Sequence, residues 1–273
     1  ISPNLEYLDI HFDEAQKWLL SNTVKNRMHR LKELSLSDVN DGERLCQILY
    51  RLPNLEKLIL WGSKIKDLLL ESSESHLGTV LQLKELALRQ SEIKHIGFER
   101  EPVLDRLELL SLYGCNKLRN LGPPSVSLAY LAYLTNLEVD CCDGLRNLMA
   151  SSTANRLAQL KSMKISRCKE LEEIVTNEGN EEEPIVFGKL ITLELEGLKK
   201  LKSFSSYKNC EFEFPSLEIL IVTKCPMMHT FTEGGAIAPK LQNIIVDDGE
   251  EEVKWQWEGD VLNATIQERF KDK

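Results

Sequence analysis

The chain has 273 residues, of which 42% are hydrophobic, and its 34 Lys and Arg against 43 Asp and Glu give a formal net charge of −9. An acidic balance of that size excludes nonspecific binding of nucleic acid or of an anionic membrane through the whole surface. No apolar run approaches the roughly 18 residues of a membrane-spanning helix, and no secretory signal is visible.

The pattern L-x-x-L-x-[LIV] begins at Leu5, with Leu8 and Ile10, and returns at Leu31, Leu55, Leu83, Leu107, Leu134, Leu160, Leu190, Leu217 and Leu241. Successive copies lie 24 to 30 residues apart, with Met163 and Ile244 replacing the second leucine in two of them. Alternation with period two is a strand with one buried face. Recurrence at 20–30 residues marks a leucine-rich repeat solenoid. The expected fold is an α/β repeat. A parallel sheet lines the concave face, and irregular coils or short helices form the convex face. One coil has too small a core to stand alone, so neighbours must stack on both sides.

A second apolar set follows the strands at spacing three: Cys115-x-x-Leu118-x-x-Leu121, Cys142-x-x-Leu145-x-x-Leu148, Cys168-x-x-Leu171-x-x-Ile174, Leu198-x-x-Leu201-x-x-Phe204 and Cys225-x-x-Met228-x-x-Phe231. Two earlier copies are tighter, with Ile65-x-x-Leu68 and Ile93-x-x-Ile96. This is the turn and the outer arm of each coil.

The chain divides into a solenoid over 1–246 and an acidic linker with a capping segment over 247–273. Ile1 is not an initiator Met and the chain opens inside a repeat, so it reads as a piece of a longer protein; a missing signal then says little of the parent. In the tail, Trp255 and Trp257 alternate, and Leu262, Ile266 and Phe270 share one face of a short helix. A cap over the last coil is the expectation, and a docking helix is the alternative. The acidic runs Asn177–Pro184 and Asp247–Glu252 lack calcium-loop spacing and read as solvated turns. The basic cluster Lys199, Lys200 and Lys202 sits on the outer arm, where it reads as solvated surface or as a contact for a phosphate or an acidic partner.

Four of the seven cysteines hold one repeat position, where a small Cys or Asn fits under the turn. One N-x-[ST] site, Asn263-Ala-Thr265, and the lack of paired cysteine caps point to reduced thiols in a cytosolic protein. The rival is a ladder of metal ligands, which no C-x-x-C or paired His supports. Phosphate-loop, H-E-x-x-H, G-x-S-x-G and G-x-G-x-x-G signatures are missing, and the five histidines are scattered. An enzyme is therefore not expected, and neither a metal nor a cofactor is expected in this chain.

The third, fifth and seventh residues of L-x-x-L-x-L-x project from the concave wall. They include Tyr7, Asp9, His11, Lys57, Trp61, Arg89, Tyr113, Glu138, Asp140, Lys164, Glu194, Glu196 and Thr223, with Lys224 one place beyond. The candidate contact set is Tyr7, His11, Lys57, Trp61, Arg89, Tyr113, Asp140, Lys164, Glu196 and Lys224. Aromatic and Arg side chains are the usual interface anchors. Trp61, Arg89 and Tyr113 hold the seventh position in three consecutive repeats and should form one row. The alternative is that Trp61 folds down as scaffold.

Irregular repeats with Cys after the strand, the phrase Leu195-Glu-Gly-Leu-Lys-Lys-Leu-Lys-Ser-Phe204, and Phe214-Pro-Ser-Leu-Glu-Ile-Leu-Ile-Val-Thr-Lys-Cys-Pro226 carry a more specific signal. Together they resemble the C-terminal leucine-rich repeats of plant coiled-coil nucleotide-binding disease resistance proteins. The resemblance implies a cytoplasmic immune receptor whose parent could also act in the nucleus or at the membrane periphery. It implies that the repeats sense a pathogen effector or a guarded host protein and restrain an upstream nucleotide-binding domain through intramolecular contact. ADP or ATP would belong to that upstream domain. The competing readings are the substrate-recognition repeats of an F-box ubiquitin-ligase adaptor and a plain protein-interaction scaffold.

Overall fold

The ten copies of the leucine pattern form ten strands of one parallel wall in the computed structural model, which describes residues 4–21, 28–68, 82–96, 106–122, 129–176, 184–247 and 253–256. In chain order the wall strands are β1 (Tyr7–His11), β2 (Glu33–Ser37), β3 (Lys57–Trp61), β4 (Glu85–Arg89), β5 (Leu109–Tyr113), β6 (Asn136–Asp140), β7 (Ser162–Ser166), β8 (Thr192–Glu196), β9 (Ile219–Thr223) and β10 (Asn243–Asp247). Each pairs only with its sequence neighbours in the wall. An eleventh strand, β11 (Val253–Gln256), turns back antiparallel along β10, pairing Asn243 with Gln256 and Val246 with Val253. The helix expected over Leu262–Phe270, Trp257, the Asn263 site and most of both acidic runs lie outside the described residues.

Register follows the leucines. Leu34, Leu58, Leu86, Leu110, Leu137, Met163, Leu193 and Leu220 are aligned partners across successive strands, as are Leu36, Leu60, Leu88, Leu112, Val139, Ile165, Leu195 and Val222. Shifting one strand by one residue would place its leucines in water, so the buried face fixes the alignment. These rows are essentially fully buried, whereas Leu8 and Ile10 of β1 are only partly covered because nothing described stacks on their far side.

Immediately after the strand, eight successive coils place the next residue in the left-handed region: Asp38, Gly62, Gln90, Gly114, Cys141, Arg167, Gly197 and Lys224 all have φ between 50° and 64°. Only three are glycine, the residue that adopts this conformation without steric cost. The reason for holding four of the five others there is a hydrogen bond. The amide donates to the carbonyl of the last strand residue in the next coil, from Asp38 to Trp61 (2.8 Å), Gln90 to Tyr113 (2.7 Å), Cys141 to Ser166 (3.0 Å) and Arg167 to Glu196 (2.9 Å). The ladder therefore continues one step past the strand and turns the chain inward.

The next residue is the repeated cysteine. Cys225 Sγ donates to the Thr223 carbonyl (3.3 Å), Cys168 Sγ to Ser166 (3.3 Å), and Cys142 Sγ to Asp140 (3.4 Å). Cys115 Sγ reaches back to Leu88 of the preceding coil at 3.5 Å. Ser63 and Ser91 hold the same place in earlier coils, donating to Val39 (3.2 Å) and Arg89 (3.4 Å). A thiol suits this place because it is small, largely apolar and a weak donor. The Cys142 amide also donates to Cys168 Sγ at 3.3 Å. No cysteine is in a disulfide, and burial pushes the Cys225 thiol up to about 11.

The whole spacing-three set from Cys115 to Phe231 is buried, as its periodicity requires. The outer arm differs from the expectation of coils or short helices alone. Helices α1 (Phe12–Leu19) and α2 (Gly42–Tyr50) occupy the first two coils, and Asp41 Oδ1 caps α2 by accepting from the Arg44 amide at 3.0 Å. Later arms form short parallel strands: Asn147–Ala150 with Glu173–Thr176, and Ile185–Val186 with Glu211–Glu213 and Gly235–Ile237. These arms are short and contain β-branched or aromatic residues, which favour extended chain. Beneath them Phe204 meets four rings, Phe187, Phe212, Phe214 and Phe231, at centroid distances of 6.0, 5.5, 5.7 and 5.1 Å.

Candidate functional site

The exposed face of the wall carries the third, fifth and seventh positions, as strand alternation requires. In β3 the core takes Leu58 and Leu60, leaving Lys57, Ile59 and Trp61 outward. Parallel register then lines up the seventh positions of β3 to β6, so that Trp61, Arg89, Tyr113 and Asp140 are consecutive partners. Trp61 remains 42% exposed, and the Arg89 guanidinium lies over its ring at 5.4 Å from the centroid. Both sequence alternatives for Trp61 meet here: the indole packs against a neighbour and still offers surface. Exposed stacking of this kind contributes about 0.5–1 kcal/mol.

Other candidate residues are joined to neighbouring coils rather than standing as free charges. Lys57 lies between Glu33 (3.4 Å) and Glu85 (3.5 Å). Lys164 pairs with Glu194 at 2.6 Å. His11 Nδ1 accepts from the Asp13 amide (3.4 Å) at the start of α1, while Nε2 faces Asp38 at 3.3 Å. Tyr7 is exposed on β1, Tyr113 and Glu196 are half-buried on the wall, and Lys224 is exposed in the left-handed turn after β9. The outer-arm lysines change meaning too: Lys200 pairs with Glu170 and Lys202 with Glu172, each at 2.6 Å, so two of the three basic residues bind the preceding coil.

Sequence reading missed the partners Arg167, Glu33, Glu85, Asp38, Glu170 and Glu172. Their signal was available as an opposite charge one repeat length away, at the matching position or, for Arg167 and Asp38, one place beyond it. Asp140 shows the densest network. Its carboxylate accepts from Arg167 Nε (2.8 Å) and Ser166 Oγ (3.0 Å), and Arg167 Nη2 makes a second contact. Burial alone would raise the Asp140 carboxyl, but the Arg167 and Ser166 hydrogen bonds outweigh it and hold the group below its ordinary value. Stability from this network is therefore complete above the unfolded pKa of about 3.9 and is lost as pH falls through the lower native value. Asp140→Asn is expected to flatten the acid-side fall of Tm between about pH 5 and pH 2. Identical slopes for the two proteins would show that no linked proton resides there.

Among the described residues no group of three or more His, Cys, Asp or Glu side chains is placed to hold a metal ion. Among them too, no helix is long and apolar enough to cross a membrane. Such stacked repeats form an extended surface suited to protein contact.

Residues 126–246 match the family model of plant disease resistance protein RPS2-like leucine-rich repeats. The matched stretch is similar to disease-resistance repeats. The match starts ahead of β6 and ends within β10, and the same strand pattern continues without a break back to β1. No curated protein matches the chain. The wall from β3 to β9 presents its third, fifth and seventh positions as one continuous outward face.

Proposed function

We propose that this chain is the recognition and restraint region of a cytoplasmic plant immune receptor, sensing a pathogen effector or a host protein altered by one. The match of residues 126–246 to resistance-protein repeats carries this reading. The Trp61–Arg89–Tyr113 row supports it, because a wall of one unbroken register can present aromatic and guanidinium anchors side by side. In this reading residues 1–246 form the recognition solenoid and 247–273 its C-terminal cap. The repeats also touch an upstream nucleotide-binding domain and hold it closed. ADP or ATP binds in that domain, and this chain performs no catalysis.

Trp61→Ala combined with Arg89→Ala tests the assignment. Both side chains lie on the exposed face, so Tm should move by no more than about 1–2 °C, as for most surface changes. Capture of the cognate partner, or restraint of signalling in the whole receptor, should change by ten-fold or more. Wild-type partner binding together with wild-type restraint would remove this row from the recognition surface.

A further inference from the structure

The charges of the wall divide into those held in close ion pairs and those that are not, and three of the second kind follow one another across alternate strands. Lys57, Lys164 and Arg167 are each satisfied by carboxylates of adjoining coils. Arg89 on β4 makes no ion pair among the described residues; its contact is the face of Trp61. Two strands further, on β6, Glu138 is exposed and likewise has no ion pair among the described residues. Two strands beyond that, on β8, the same holds for the half-buried Glu196. The three border one hollow of about 260 Å³, together with Tyr113, the Asp140–Arg167 pair and Lys164. Lys164 lies between Glu138 and Glu196 and is bonded to Glu194, so three carboxylates there face one ammonium and the β6–β8 side stays acidic.

Neighbouring strands lie about 4.8 Å apart, so Arg89, Glu138 and Glu196 follow one another at steps of about 10 Å across the wall. Glu138 is offset by two positions along its strand, about 7 Å, a distance that long side chains on both partners can absorb. An extended chain with the polyproline geometry rises about 3.1 Å per residue, so three residues cover about 9 Å. Tyr113 and Trp61 lie on either side of Arg89 in the seventh-position row and offer aromatic faces of the kind that accept proline rings.

We propose that the hollow between β4 and β8 docks an extended segment of a partner protein, running across the strands, in which an acidic residue is followed at three-residue steps by two basic ones. The acid meets Arg89, and the bases meet Glu138 and Glu196. This rests on the recognition reading above and specifies the chemistry of its partner. The order of charge, rather than net charge, selects the segment, since a chain of net charge −9 would otherwise favour any cation.

The probe is a terminally blocked peptide, Asp-Pro-Pro-Lys-Pro-Pro-Lys, compared with its charge-reversed form Lys-Pro-Pro-Asp-Pro-Pro-Asp. Binding is followed by calorimetry and by amide and indole chemical shifts. The first peptide should bind at least ten-fold more tightly at low salt, shift the Trp61 indole, and lose affinity in about 0.5 M NaCl, where screening reaches only a few ångströms. The triple variant Arg89→Glu, Glu138→Lys, Glu196→Lys, its fold checked by circular dichroism, should reverse the preference. Equal binding of the peptides, binding of neither, or an unreversed preference in the triple variant would overturn the proposal. If Trp61→Ala with Arg89→Ala still impairs partner capture in that case, the wall remains the recognition face and the charge order is wrong. If both experiments fail, the wall assignment falls with it.

Discussion

Leu137→Asp is expected to abolish cooperative folding of the central coils. Leu137 lies fully buried at the centre of β6, aligned with Leu110 on one side and Met163 on the other. Replacing it removes about 1.5–3 kcal/mol of apolar burial and leaves a carboxylate with no cation in a dry layer, which costs several kcal/mol more. Because each coil is held by its neighbours, the loss spreads to β5 and β7 rather than staying local. Far-UV circular dichroism with urea titration, and proteolysis mapped to the 109–166 region, would report it. A midpoint matching wild type would contradict the nearest-neighbour account.

Phe204→Ala is expected to be the most damaging change on the outer arm, costing about 3–5 kcal/mol as for other buried Phe truncations. Its ring is completely buried and touches rings from three later or adjoining segments, so the cavity is shared and cannot close by moving one side chain. Phe204→Leu should recover part of the loss. Chemical denaturation would measure both. A cost below about 1 kcal/mol for the alanine variant, the range of volume-conserving swaps, would show that the cluster repacks freely.

These two positions also show what sequence can and cannot convey. Leu137 was legible because a period of two within a period of about 26 leaves it nowhere else to go. The burial of Phe204 was legible from its spacing after Leu198 and Leu201, but its four ring partners were not. They come from three different arms, whose relative placement depends on the whole stack. The same limit applied to charge. Lys202 looked like part of a basic patch until the stack put Glu172, thirty residues earlier, within 2.6 Å. Lys57 and Lys164 were correctly placed on the wall, yet their neutralisation depends on register between strands. The left-handed joint was hidden most completely, because Gln90, Arg167 and Lys224 have no glycine-like signature. For Gln90 and Arg167 that conformation is imposed by the hydrogen bond to the following coil.

That joint has a consequence for how such a protein can change. Coils of 24 and of 30 residues leave the wall with the same backbone geometry and the same bond to the next coil. Differences in length are thus taken up entirely behind the sheet. The exposed face behaves as a ruler whose graduations are set by strand spacing, so insertions or deletions in an outer arm leave the distance between any two marks unaltered. A lineage can lengthen or shorten its arms while the side chains that read a partner keep their pitch, and can rewrite those side chains one mark at a time without disturbing the arms.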